Sequence, residues 1–288
     1  MRKPLLWIVL ISILVLFCSC NAQPSVQIAA TTLPVYEFTS RLCEGTGITV
    51  GRIVTESVSC LHDYSLQVSQ MRMVEEADAI VISGGGLEDF LSDVLAERSV
   101  IDASQGITLS CPEEEHAHDG HHHETDPHFW LSPAHAKTMV QNIYSGLSEK
   151  YPEHTDIFQE NLYVLISDLD ALQLYGTQEL QELEKRQMIT FHDGFSYFAE
   201  SFQLDILKAI EEESGQEAST AELKELIGLV NEHQLTAVFT EINGSCSAAD
   251  VIAAETGCAL YSLDMAMSSD SYFTAMYHNI DTVKEALG

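Results

Sequence analysis

The sequence predicts an α/β protein: two βα lobes with parallel sheets, joined by one long backbone helix. Short apolar runs alternate with amphipathic stretches through the first half, and the same alternation resumes in the last third. Between them lies a long segment with a helical apolar stripe and almost no glycine or proline.

Taken in order, residues 26–32 form an apolar strand and 33–43 a helix, with Pro34 in the first turn, where its missing N–H is no loss. A second strand follows at 48–54, a helix at 66–77 and a buried strand at 79–83. Gly84-Gly85-Gly86 turns the chain into a helix over 87–96, and 99–102 ends this pattern. The triple glycine lacks the Gly-Lys-Ser/Thr ending of a phosphate loop, so it reads as a strand-to-helix turn. Ser132-Pro133 opens another helix. Within 152–183, Phe158, Leu162, Leu165, Leu169 and Leu172 recur at spacings of four and three, the stripe of an amphipathic helix. Roughly 30 residues at about 1.5 Å each give about 45 Å, enough to brace two lobes. The later elements are strands at 187–191, 204–209, 237–240 and 259–263, with helices at 196–201, 220–233, 248–256 and 272–287. The division expected is a signal peptide at 1–19, an N-terminal lobe at 20–150, a linking helix at 151–185 and a C-terminal lobe at 186–288.

The N-terminus reads as an export signal, with Arg2 and Lys3 ahead of an apolar run over 5–17. That run falls short of the roughly 20 residues a membrane-spanning helix needs. Phe17-Cys18-Ser19-Cys20 resembles a bacterial lipobox, which makes Cys20 the expected lipid anchor of an extracytoplasmic, membrane-attached protein. The formal net charge of −31 argues against nucleic acid and anionic membrane surfaces, which need clustered Lys and Arg. Beyond Cys20 stand Cys43, Cys60, Cys111, Cys246 and Cys258, an odd set without a CxxC pair, so neither a thiolate cage nor a pairing can be read from it.

Histidine carries the functional signal. Six of the twelve histidines fall in EEEHAHDGHHHETDPH at 113–128. His116, His118, His121, His122 and His123 lie in a polar segment at 113–124 with no apolar periodicity. Imidazoles mixed with carboxylates suit borderline divalent metals, zinc above all, so this segment is expected to be an auxiliary metal collector. His128, in DPHFWLSP, stands at its exit. Three more residues fall just past strand ends, where βα units place ligands: His62 in CLHDY, His192 in TFHDGF and Asp264 in YSLDM. Three imidazoles and one carboxylate, two residues from each lobe, would complete a tetrahedral zinc shell.

The same motifs carry a resemblance. HDY at 62–64, ADAIVISGGGLEDFL at 77–91, DPHFWLSP at 126–133, FHDGFSYF at 191–198 and AAETGCALYSLD at 253–264 resemble the cluster 9 (cluster A-I) solute-binding subunits of bacterial zinc and manganese ABC importers. The resemblance runs over 26–287, with Ser65 and Leu66 standing where the family has Glu and Pro. It implies metal held between two lobes by His62, His128, His192 and Asp264. His192 at the third ligand position and the histidine-rich segment both mark the zinc-type members. Asp63 and Asp193 are candidates to orient imidazoles, and Glu241, in FTEING, to orient a ligand or replace Asp264 as the coordinating carboxylate. The function implied is extracytoplasmic capture of Zn²⁺ by a monomer. Delivery goes to the membrane permease of an ABC importer, served by its cytoplasmic ATPase. A manganese-binding subunit, a metal-dependent adhesin and a zinc hydrolase are the alternatives. The hydrolase would need an open metal position and a base such as Glu241, and no HExxH-like motif accompanies it.

Overall fold

The computed structural model describes residues 26–56, 61, 64–110, 125–210, 218–244, 247–267 and 269–288. Two four-stranded parallel sheets account for the strands among them. The first has the order β2 (Val50–Arg52), β1 (Ile28–Ala30), β3 (Ala79–Ile82), β4 (Val100–Asp102). Ile28 pairs with Val50 on one side and Ala79 on the other, and β1 is wholly buried. A parallel strand covered on both faces reads as an unbroken apolar run, which is why 26–32 and 79–83 show no alternation. The second sheet repeats the arrangement as β6 (Asp205–Ala209), β5 (Gln187–Thr190), β7 (Ala237–Glu241), β8 (Ala259–Leu263).

Helices α1 (Leu33–Leu42), α2 (Val68–Glu76) and the single turn α3 (Ser92–Leu95) belong to the first lobe. Helix α4 (Pro133–Lys150) leads through a 3₁₀ turn at Pro152–His154 into α5 (Thr155–Leu180). Helices α6 (Ser196–Phe202), α7 (Thr220–His233), α8 (Ser247–Thr256) and α9 (Tyr272–Leu287) belong to the second. Two expectations are corrected in detail. The helix expected over 87–96 is a 3₁₀ turn at Asp89–Leu91 followed by α3, because the Glu88 carboxylate folds back to accept the Ser83 and Gly84 N–H groups. Gly84, Gly85 and Gly86 all take positive φ there, which a run of other residues would not adopt. The long helix begins at Thr155 instead of Pro152, and its 26 residues span about 39 Å.

Phe158, Leu165, Leu169 and Leu172 of the predicted stripe, with Leu180 beyond it, are buried in a core that takes residues from both lobes, and Leu162 packs half-buried against it. A smaller core of Ile189, Phe191, Leu226, Val238 and Ile252 serves the second lobe alone. The lobes are also pinned directly. The Trp130 indole N–H donates to the Met265 carbonyl at 2.8 Å, and the Tyr272 hydroxyl donates to the Trp130 carbonyl at 2.8 Å. Phe38 of α1 packs edge-on against Tyr272 with ring centroids 4.9 Å apart, and Glu37 accepts the Tyr272 N–H at the start of α9. Among the described residues no helix is long and apolar enough to cross a membrane.

Candidate metal centre

The carboxyl ends of the two sheets bring part of the predicted ligand set together. His128 caps the short 3₁₀ helix Phe129–Leu131 in the first lobe, and His192 follows β5 in the second. Their Nε2 atoms face each other at 3.5 Å, with the rings nearly perpendicular at 84°. Each ring has a carboxylate at its other nitrogen. Asp126 Oδ1 lies 2.8 Å from His128 Nδ1 and also accepts the His128 backbone N–H at 2.9 Å. Glu241 Oε2 lies 3.5 Å from His192 Nδ1. A carboxylate at Nδ1 favours the tautomer that leaves the Nε2 lone pair for a metal.

The two carboxylates are shifted in opposite directions. Burial alone would raise the Asp126 carboxyl, but the hydrogen bonds and charge of His128 outweigh it and hold it below its ordinary value. Burial pushes Glu241 up to about 7, and the nearby charge of Asp264 adds to the shift. Gly194 makes the ring pair possible, since a Cβ there would stand 2.8 Å from His192 Cδ2 and 3.0 Å from His128 Cγ.

Asp264 ends β8 but points into its own turn. Its Oδ1 accepts the Ala266 N–H at 2.8 Å, and its Oδ2 accepts the Ser269 hydroxyl. The side chain of fully buried Asn279 brackets its backbone, accepting from the Asp264 N–H and donating to its carbonyl, both at 2.7 Å. Among the described residues no group of three or more His, Cys, Asp or Glu forms a metal-holding cluster. The imidazole pair meets and Glu241 stands behind it, with Asp264 close enough to Glu241 for its charge to be felt there. His62 and Asp63 lie outside the described residues, as do Cys20, Cys60, Cys111, Cys246 and the collector histidines His116, His118, His121, His122 and His123. Asp193 is described and makes an interaction of its own. Cys43 and Cys258 are buried free thiols, and burial pushes Cys43 up to about 12.

Sequence reasoning did not single out Asp126, Gly194, Tyr197, Ser269 or Asn279. For Asp126 a signal was present: an aspartate two residues before a candidate ligand histidine, with proline between, can turn back onto the ring.

A family model described as zinc-uptake complex component A, periplasmic, matches residues 28–286. The chain is 28% identical over 284 residues to the zinc-binding lipoprotein AdcA of Streptococcus pneumoniae serotype 4, covering 92% of this chain and 56% of that protein. It thus spans little more than half the length of that relative. A putative metal-binding protein of Treponema pallidum is 28% identical over 262 residues, with 86% of this chain and 83% of that one covered. In fold, a crystal structure of ZnuA superposes with a TM-score of 0.80 at 29% identity, over 91% of this chain and all of that one. Zinc-bound AdcA of Streptococcus pneumoniae gives 0.76 at 27% identity, over 91% and 58%. The shared fold of two parallel-sheet lobes with a long helix and the family model matched over residues 28–286 agree, and the chain belongs to the zinc-uptake complex component A family.

Proposed function

We propose that the protein captures Zn²⁺ outside the cytoplasm and delivers it to the permease of an ABC importer that is driven by a cytoplasmic ATPase. The observation that carries this reading is the pair of facing Nε2 atoms at 3.5 Å. Two nitrogens about 2.0–2.1 Å from a tetrahedral zinc stand about 3.3–3.4 Å apart. The pair therefore needs almost no movement to share an ion. His62 and Asp264 complete the proposed shell, and Glu241 and Asp126 orient His192 and His128. Four protein ligands leave no position for an activated water, so the ion is cargo and no reaction follows. Cys20 carries the proposed lipid anchor, the chain acts as a monomer, and the histidines of 113–124 supply a weaker collecting site. The lobes divide as 20–150 and 186–288 about the linking segment 151–185.

The test is competition between Zn²⁺ and Mn²⁺ for the purified protein against a chromophoric chelator. Three nitrogen donors predict a strong preference for zinc, narrowed in His192→Glu, which hardens the site. Zinc should also raise the melting temperature relative to chelator-treated protein, because it binds only the folded state. A preference for manganese in the parent, or identical melting curves with zinc and chelator, would overturn the assignment.

A further inference from the structure

Ser110 and Asp126 flank the histidine-rich segment, and their main chains meet: the Asp126 N–H donates to the Ser110 carbonyl at 2.8 Å. The junction is closed from the other lobe. Tyr197 stands on α6, five residues beyond His192, and is only 1% exposed. Its hydroxyl accepts the Ser110 N–H at 2.8 Å and donates to the Asp126 carbonyl at 2.9 Å. Its ring packs edge-on against His135 at the start of α4, with centroids 5.3 Å apart, which fixes the direction of the hydroxyl. Asp126 is thereby held at its N–H and its carbonyl. Its side chain then holds His128 twice, at the backbone N–H and at Nδ1. A proton kept on Nδ1 leaves the lone pair on Nε2, the atom that faces His192.

We propose that Tyr197 is a positioning residue of the metal site. From the second lobe its hydroxyl fixes Asp126, and Asp126 sets the tautomer and aim of His128 in the first. The α6 segment that follows one imidazole thus also places the other, so the distance between the two nitrogens is set by a single short stretch of chain. This inference rests on reading His128 as a zinc ligand. A purely structural role predicts something different. Removing the hydroxyl would leave a part-buried N–H and a buried carbonyl without that partner and lower stability, but zinc affinity and the state of the His128 ring would be unchanged.

Tyr197→Phe removes only the hydroxyl, and ¹⁵N spectra of the histidine rings read the consequence in metal-free protein. The parent should show His128 as the Nδ1–H tautomer, and Tyr197→Phe should show a mixture of tautomers. Zinc affinity, measured by chelator competition, should fall about tenfold or more, the usual cost of losing a ligand's outer partner. Asp126→Ala should reproduce both effects, and Asp126→Asn, which keeps an acceptor for Nδ1–H, should recover part of the affinity. A Tyr197→Phe protein with a lower melting temperature but the parent's zinc affinity and His128 spectrum would overturn the proposal. So would Asp126→Ala with an unchanged His128 spectrum, and that arm decides the matter if Tyr197→Phe fails to fold. Failure of the parent to bind zinc would instead strike the assignment of the site and leave the tautomer result standing.

Discussion

Gly194→Ala adds one methyl group between the two imidazoles, where there is no room for it. The new Cβ would stand 2.8 Å from His192 Cδ2, 3.0 Å from His128 Cγ and 2.4 Å from Met265 Cε. Gly194 is not among the glycines with positive φ, so an alanine backbone is unstrained and the contacts alone decide the outcome. The Met265 methyl is the end of a flexible chain and can swing aside. The rings cannot do so freely, because Asp126 hydrogen-bonds His128 at Nδ1 and Glu241 stands 3.5 Å behind His192 Nδ1. Carbon atoms rest about 3.5–4.0 Å apart, so the rings must withdraw by about 0.5–1 Å.

Metal–ligand distances tolerate only about 0.2 Å. The displacement therefore exceeds what the site can absorb without misaligning a nitrogen. Zinc affinity should fall about 10- to 100-fold, or about 1.4–2.7 kcal/mol. Overpacking of this kind costs about 1–3 kcal/mol, so the metal-free protein should also melt at a lower temperature. The assay is chelator competition for affinity, with thermal melts of chelator-treated protein in parallel. A Gly194→Ala protein that binds zinc within twofold of the parent would refute the claim that this glycine is required by the ring pair.

Two predictions concern pH. Zinc affinity should weaken as pH falls below about 6.5, the ordinary value of a free imidazole, because a protonated ring cannot coordinate; an affinity constant between pH 7 and pH 5 would contradict imidazole ligation. The second concerns Glu88, which burial pushes from its ordinary 4.5 up to about 7 despite hydrogen bonds from Thr31, Ser83 and Gly84. The folded state then binds a proton that the unfolded chain has released, so this group's contribution is fully present below about 4.5 and is lost as pH rises through about 7, by about 3 kcal/mol at most. Glu88→Gln cannot titrate. Its stability relative to the parent should therefore improve from pH 4.5 to pH 7.5 in metal-free denaturant melts, and a difference that is the same at both pH values would rule the mechanism out.

The strands and helices were legible because their signals are local. β1 and β3 are buried on both faces and read as apolar runs, while Phe158, Leu165, Leu169 and Leu172 mark α5 by spacing alone. His192 and Asp264 could be named as candidates because each follows a strand at the sheet's carboxyl edge. What escaped depends on partners distant in sequence. Glu88 looks like an ordinary residue of an acidic first turn until its carboxylate is seen closing on Thr31, 57 positions away. Tyr197 reads as one more aromatic in FSYF, yet its hydroxyl meets Ser110 and Asp126 across the lobes. Asn279 sits on an amphipathic helix with nothing nearby in sequence to show that it brackets Asp264.

These long-range contacts make the described part of the candidate site rigid. The imidazole pair has Asp126 hydrogen-bonded behind His128, Glu241 3.5 Å behind His192, and the bare backbone of Gly194 beside it. The segments carrying His128 and Asp264 are pinned to each other two residues and one residue away, by the Trp130 indole on the Met265 carbonyl. A freely swinging lobe would break that bond and open a core that both lobes share. As the proposed fourth ligand, Asp264 would meet the ion without leaving its turn, and its hydrogen bonds permit this. An ionised carboxylate has about four lone-pair sites, and the Ala266 N–H and Ser269 hydroxyl occupy one on each oxygen. Among the described residues these are its two side-chain partners, so the proposed coordination of zinc would leave the turn, with Ala266 held at a φ of 56°, as it is.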